Sequence, residues 1–131
     1  MVDAAASFAR WVAALNAPRD RALLEAAVTP DVRIERHDPI PRGAVVPPPV
    51  EVITGLEGAA RWLARLLRVT TFALAGEVQR GDEDGEVWTV EYTLVVPELD
   101  FTNGGRWVAR LAADGRLAQL GHRPFALAPG R

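Results

Sequence analysis

Two charged side chains at the end of one alternating stretch are the first candidates for chemistry. Val32-Arg33-Ile34-Glu35-Arg36-His37-Asp38-Pro39 has the apolar–polar alternation of a half-buried strand. Side chains two apart share a face, so Val32 and Ile34 define the inward side and Arg36 and Asp38 continue it. A buried charge costs on the order of several kcal/mol unless it is paired; this pair therefore needs a salt-bridge partner or a task. A carboxylate desolvated among apolar groups has a raised pKa and suits a general base near neutral pH, while a neighbouring guanidinium opposes that shift and suits an oxyanion. The alternative is an Asp-Pro turn ending an edge strand, with both charges at a solvated rim. His122 is the third candidate. It shares one face of the last strand pattern with Ala118 and Leu120, and an imidazole titrates or shuttles a proton in the physiological range; the alternative is a hydrogen-bonded core histidine. His37 has the opposite parity and is expected to be exposed. Two histidines of opposite parity and no cysteine give no support for a metal site, and no cofactor is expected.

The elements that must position these groups follow from periodicity. Residues 3 to 17 read as an amphipathic helix capped by Asp3, with Phe8, Trp11, Val12 and Leu15 on one face and Asn16 and Pro18 stopping it. Asp20 caps a second helix that buries Leu23, Leu24, Ala27 and Val28, and Thr29-Pro30-Asp31 breaks it before the organising strand. Residues 39 to 49 hold five prolines and one glycine, which predicts an extended, semi-rigid loop able to serve as a lid or rim. Val50 to Ile53 reads as a short strand. Thr54-Gly55-Leu56-Glu57 reads as a capping box opening a third helix to about Arg68, with Leu56, Ala60, Leu63 and Leu67 buried and Trp62 and Leu66 flanking. From Val69 onward the pattern is all strand: 69 to 79, a turn over 81 to 85, and an alternating run from 87 to 96. A strand opened by Gly104-Gly105 follows, then the Asp114-Gly115 hairpin signal and a last strand ending near Leu127. Helices first and meandering antiparallel strands afterwards make an α+β domain.

Composition bounds the function classes. The chain has 131 residues, which fits a single domain over 1–131, and 49% of them are hydrophobic against 24% charged. A net charge of −2 gives no electrostatic case for nucleic acid or an anionic membrane. No apolar run is long enough to span a bilayer, and the N-terminus lacks the basic region of a signal peptide. A cytoplasmic domain is the expectation.

The order of these signals resembles a known superfamily. Arg10-Trp11-Val12-Ala13-Ala14-Leu15-Asn16-Ala17, then Asp20, Pro30-Asp31-Val32, Asp38-Pro39, and Gly55 opening a helix are similar to the nuclear transport factor 2-like superfamily, in particular its ketosteroid isomerase and SnoaL-like branches. The resemblance implies a cone: a curved antiparallel sheet wrapped around three N-terminal helices, with an apolar pocket in the mouth and commonly a homodimer. Ketosteroid isomerases carry a tyrosine where this chain has Trp11 and a protonated aspartate where it has Trp107. Their general base falls on Arg36 in a gapless alignment and on Asp38 when the Asp-Pro dipeptides are matched. The acid/base aspartate that SnoaL-like cyclases carry near the C-terminal strand has no counterpart, since no aspartate follows Asp114. Steroid isomerisation by that mechanism is therefore not expected.

With inward parities fixed by the resemblance, Trp11, Trp62, Trp88, Tyr92 and Trp107 face one space, and Asp100 and Asn103 reach its rim. Each aromatic buries roughly 150–250 Å², so the convergence suits a bulky hydrophobic ligand, and ordinary core packing is the alternative. The leading expectation is a cofactor-independent acid/base enzyme of isomerase, cyclase or dehydratase type. Its substrate would be a polyketide, terpenoid or steroid-like molecule, with Asp38 as base, His122 as proton partner and Arg36 or the Trp107 indole as oxyanion stabiliser. A non-catalytic binding module and a dimerising interaction domain are the other two possibilities. A homodimer is expected through the sheet face carrying Thr89, Glu91, Thr93, Val108 and Arg110, with one open pocket per subunit and the proline loop at its rim.

Overall fold

The computed structural model describes residues 3–66, 70–81 and 87–127. The first helix, α1 (Ala4–Asn16), begins where the Asp3 carboxylate accepts from the Ala6 N–H. It buries Phe8, Trp11 and Leu15 as its spacing predicts, with Ala14 in place of the expected Val12, which is only partly buried. The second, α2 (Arg21–Ala27), is capped by Asp20, whose side chain accepts from the N–H groups of Ala22 and Leu23. Of its predicted face Leu24, Ala27 and Val28 are buried, Val28 already belonging to the next strand, and Leu23 is only partly buried. No break follows it: β1 (Val28–Arg36) starts at once and carries Thr29-Pro30-Asp31 inside the strand. Proline is tolerated there because the pairing with β7 is irregular between Val28 and Arg33.

After the proline segment come β2 (Glu51–Thr54) and α3 (Gly55–Ala64), so the third helix lies between strands rather than with the other two. Thr54 makes no side-chain capping hydrogen bond, and the Glu57 carboxylate, which would complete a capping box from its side, is held by Arg21. The buried face of α3 is Ala59, Trp62 and Leu63, with Leu56 and Ala60 only partly buried. The stripe is thus rotated from the predicted one and Trp62 stands on it; Leu67 lies outside the described residues.

The remaining strands are β3 (Thr71–Leu74), β4 (Gln79–Arg80), β5 (Val87–Val96), β6 (Phe101–Leu111) and β7 (Leu117–Pro124). The predicted strand over 69 to 79 is therefore two short pieces, and its first residue and most of the turn over 81 to 85 lie outside the described residues. The long run from 87 to 96 is observed as predicted, while β6 starts three residues before Gly104.

Among the described residues the sheet has the order β2-β1-β7-β6-β5-β3, with β4 also on β5. It is mixed rather than antiparallel, because β1 and β7 pair in parallel, with Ile34 beside Leu120 and Arg36 beside His122. That pairing joins two segments far apart in sequence, which no local signal predicts. The sheet is curved and unclosed and wraps the helices, an α+β cone. Its concave face carries Ile34, Val90, Tyr92, Trp107, Ala109 and Leu120 against the helices. At the edge, the Asn16 side chain donates to the Phe72 carbonyl (2.9 Å) and accepts from its N–H (2.7 Å), tying the end of α1 to β3. No helix among the described residues is long and apolar enough to cross a membrane.

Candidate functional site

Register places the aromatic groups. Val90 pairs with Trp107, Trp107 with His122, and Tyr92 with Gly105. Tyr92, Trp107 and His122 therefore lie on adjacent strands of the concave face, beneath Trp11 of α1 and Trp62 of α3. The rings meet. Tyr92 stacks on Trp107 with centroids 4.2 Å apart and on His122 at 5.4 Å. Trp62 stands edge-on to His122 at 5.2 Å and stacks on Trp11 at 6.1 Å. Trp107 is also in contact with Phe8 and Phe72.

Three of the four tryptophans converge as expected, and the fourth does not. Trp88 is half-buried and lies beneath the Arg80 guanidinium, 5.3 Å from the ring centroid. It stands two register steps beyond Trp107 along the sheet, away from the box. Trp11 and Trp107 are each 0% exposed and Tyr92 is 1% exposed. The aromatic volume in this part of the cone is thus packed against itself.

One directed hydrogen-bond chain runs through the box. The Trp107 indole N–H donates to His122 Nδ1 at 3.0 Å, and an indole can only donate. Nδ1 is therefore the unprotonated nitrogen, and the neutral ring carries its proton on Nε2. Nε2 lies 3.4 Å from the Tyr92 hydroxyl, a long contact in which the imidazole donates and the phenol accepts. The Tyr92 O–H is then left as the buried donor end of the chain, with no acceptor among the described residues. Trp11 contributes a second free donor, because its indole N–H has no partner among the described residues.

The electrostatics keep this chain neutral. The His122 pKa is pushed down to about 3, first by burial and then by the Arg36 and His37 charges. The residue retains some exposure at its edge, which works against that shift without reversing it. Burial also raises the Tyr92 phenol well above its ordinary value. The expectation that His122 titrates near neutrality is thus corrected: three aromatic walls and a cationic neighbour disfavour the imidazolium.

The charged candidates separate. Arg36, at the end of β1, does face inward, but its Nε bonds Glu51 at 2.9 Å, and Glu51 also receives Arg65 at 3.3 Å. The salt-bridge partner its position demands is therefore present. Arg36 holds the Glu51 carboxyl below its ordinary range. Asp38 lies beyond the strand end and is exposed, so the desolvated carboxylate expected there is not formed. Asp100 is also exposed, in a left-handed conformation after the turn Pro97–Leu99. Asn103 is half-buried and donates to the Phe125 carbonyl at 3.0 Å.

His37 reverses its expectation. Its parity is indeed opposite, toward the convex face, yet it is 3% exposed. The proline segment covers it: the Pro47 carbonyl lies near the ring, and Arg42 crosses to Glu91 and sits 3.9 Å above Phe125. The segment therefore lies against the convex face, not at the mouth of the cone. Neither His37 nitrogen finds a hydrogen-bond partner among the described residues, and burial, then Arg123, lower its pKa. No group of three His, Asp or Glu among the described residues could hold a metal ion.

A curved mixed sheet wrapped over three helices, with polar groups at the end of β1 and on the last two strands, is the nuclear transport factor 2-like fold. Comparison with solved structures agrees. The chain is similar to a SnoaL-like family protein from Agrobacterium tumefaciens provisionally assigned as an isomerase, at 21% identity and TM-score 0.67, covering 92% of this chain and 96% of that one. It is similar to a provisionally assigned ketosteroid isomerase from Kribbella flavida, at 19% identity and TM-score 0.65, covering 96% and 82%. A third is the epoxide hydrolase/cyclase-like enzyme SalBIII of pyran ring formation in the polyether salinomycin, at 16% identity and TM-score 0.65, covering 92% and 89%. No protein-family model matches the chain, and no curated protein matches it. These likenesses establish the fold.

Proposed function

We propose that this domain acts, without a cofactor, on a bulky hydrophobic molecule bearing a carbonyl, ether or hydroxyl oxygen, in isomerase- or cyclase-type chemistry. The observation that carries the reading is the donor chain from Trp107 through His122 to the buried Tyr92 hydroxyl, whose proton has no acceptor among the described residues. Each donor polarises the next in a low-dielectric surround, so Tyr92 is a preorganised hydrogen-bond donor of the kind that stabilises charge developing on oxygen. The phenol and imidazole both resist ionising, so the chain suits polarisation rather than proton exchange. Opening of an epoxide by a hydroxyl of the same molecule, or closure onto a polarised carbonyl, fits this site better than a reaction needing a strong desolvated base. The similarity in fold to SalBIII, an epoxide hydrolase/cyclase-like enzyme, supports that choice.

The test is a panel of epoxy alcohols and hydroxy-enones followed by product NMR. Tyr92→Phe keeps the ring and removes the donor, and its turnover is expected to fall by roughly 10²–10³, as for loss of an oxyanion donor. Asp38→Asn is expected to stay within a few-fold of wild type. An unaltered Tyr92→Phe rate beside a collapsed Asp38→Asn rate would restore the carboxylate-base reading and overturn this one.

That Trp11 and Trp107 stand where relatives carry proton-exchanging groups, and that an indole can donate but not exchange a proton, favours a second reading, a binding module without turnover. Ligand-dependent quenching of the clustered indoles with no product formed would select it.

The same fold carries a dimer proposal. Thr89, Glu91, Thr93, Val108 and Arg110 lie on the convex sheet face, where Glu91 bonds Arg42 and Arg106. A mixed polar and apolar sheet face suits a two-fold symmetric contact. Light scattering at micromolar concentration is expected to give twice the chain mass of 14.2 kDa; a single-chain mass would exclude the contact.

A further inference from the structure

The chain as a whole is acidic, at net −2, yet the cleft between β2 and α3 is cationic. This cleft has a volume of about 340 Å³ and is lined by Glu51, Ile53, Gly58, Arg61, Trp62 and Arg65 among others. Arg36 reaches its edge by bonding Glu51. Three guanidiniums, of Arg36, Arg61 and Arg65, thus surround one carboxylate, and that carboxylate is already shared by two of them. Two positive charges are left over. The nearby Glu57 feels the Arg61 charge but balances it only in part, because its hydrogen bond goes to Arg21.

Arg61 is the available cation. It makes no hydrogen bond or ion pair with the described residues, and it is exposed. Side chains on a helix lean toward its N-terminus, which lays Arg61 over Gly58. A Cβ at Gly58 would come within 3.2 Å of Ile53 Cγ2 and 4.0 Å of Arg61 Nη2. The guanidinium therefore lies over Gly58, and the tight contact a side chain there would meet is Ile53, not Arg61. Beside it stands the Trp62 indole, which belongs to the aromatic box through Trp11 and His122. The cleft joins an aromatic wall to two guanidiniums, Arg61, which makes no hydrogen bond with the described residues, and Arg65, which shares Glu51 with Arg36.

We infer that the β2–α3 cleft binds the anionic head of an amphiphilic acid, a carboxylate or sulfonate, whose apolar body lies against Trp62. Arg61 and Arg65 supply the charge-assisted hydrogen bonds, with planar forks that match an oxyanion. The inference rests on the reading of this domain as a site for hydrophobic small molecules, and it adds that the molecule taken is an acid.

Calorimetric titration with decanoate and with 1-decanol separates the two ideas. Wild type is expected to bind decanoate at least about tenfold more tightly than 1-decanol, since hydrogen bonds to charged groups are the stronger ones. Raising the salt is expected to weaken decanoate alone. Arg61→Gln with Arg65→Gln is expected to abolish the preference while 1-decanol affinity holds, with near-UV circular dichroism confirming the fold. Arg61→Gln alone, which touches no ion pair, is expected to give part of the loss. Equal affinity for the two probes in wild type, or an undiminished preference in the double variant, would overturn the inference and leave the small-molecule reading standing. Binding of neither probe would overturn both.

Discussion

Gly105→Ala is expected to dismantle the donor chain at a cost out of proportion to one methyl group. A Cβ at this position would stand 2.4 Å from the Tyr92 hydroxyl oxygen, 2.6 Å from its Cζ and 2.6 Å from the Arg123 carbonyl oxygen. No real Cβ sits that close to anything. The phenol could swing away, but it is stacked on both Trp107 and His122, and the carbonyl belongs to the paired β6–β7 ladder. Overpacking of this kind costs typically about 1–3 kcal/mol, and here two rigid neighbours are struck at once. The midpoint of urea unfolding should therefore fall clearly. In a Tyr92→Ala background the same substitution should cost less, because one of the two collisions is gone. Stability within about 0.5 kcal/mol of wild type, the range of a neutral surface change, would show that the β6–β7 backbone yields and that Gly105 is not what seats Tyr92.

That glycine also shows where the sequence was legible and where it was not. The run from 87 to 96 and the Asp114-Gly115 turn were read correctly because strand alternation and turn chemistry are local. So were the caps at Asp3 and Asp20. Gly104-Gly105 was read as the opening of a strand, although β6 already begins at Phe101. Its actual task, leaving space opposite Tyr92, depends on which residue of β5 it faces. Counting back across the hairpin from Val96 and Phe101 would have found it.

The candidate site was half visible for the same reason. Parity correctly put Arg36, Trp107 and His122 on the concave side and His37 on the other. Parity says nothing about what covers a face, so His37 was misjudged once the proline segment folded over it. Asp38 was misjudged because alternation was extended past the point where β1 ends. The Trp107–His122 hydrogen bond needed the β6–β7 register, and the low pKa of His122 needed the walls supplied by α3 and β5. Those are tertiary facts.

His122 should make the protein progressively less stable as pH falls through the range where a free histidine gains its proton. In the unfolded chain this imidazole titrates near its ordinary 6.5, whereas in the folded state its pKa is pushed down to about 3. Between those values the unfolded state binds more protons, so stability rises with pH across the window. The contribution is fully present above the unfolded pKa and is lost as pH falls toward the folded one. One proton held off in this way corresponds to at most about 1.4 kcal/mol per pH unit, and the partial exposure of the residue makes the observed slope shallower. His37, also lowered by burial, acts in the same direction. The measurement is best confined to pH 5 to 7.5, roughly above the ordinary carboxylate range. There Glu51, Glu57 and Asp114, which are held low by arginine neighbours, stay ionised and add no slope. His122→Asn places a neutral acceptor near the Trp107 N–H and cannot be protonated. Urea unfolding of this variant is expected to show a lower stability at pH 7.5 but a clearly flatter pH dependence, with the remaining slope due to His37. If wild type and His122→Asn lose stability in parallel from pH 7.5 to 5, His122 is not held neutral. The Trp107-to-Tyr92 direction of the donor chain would then have to be abandoned with it.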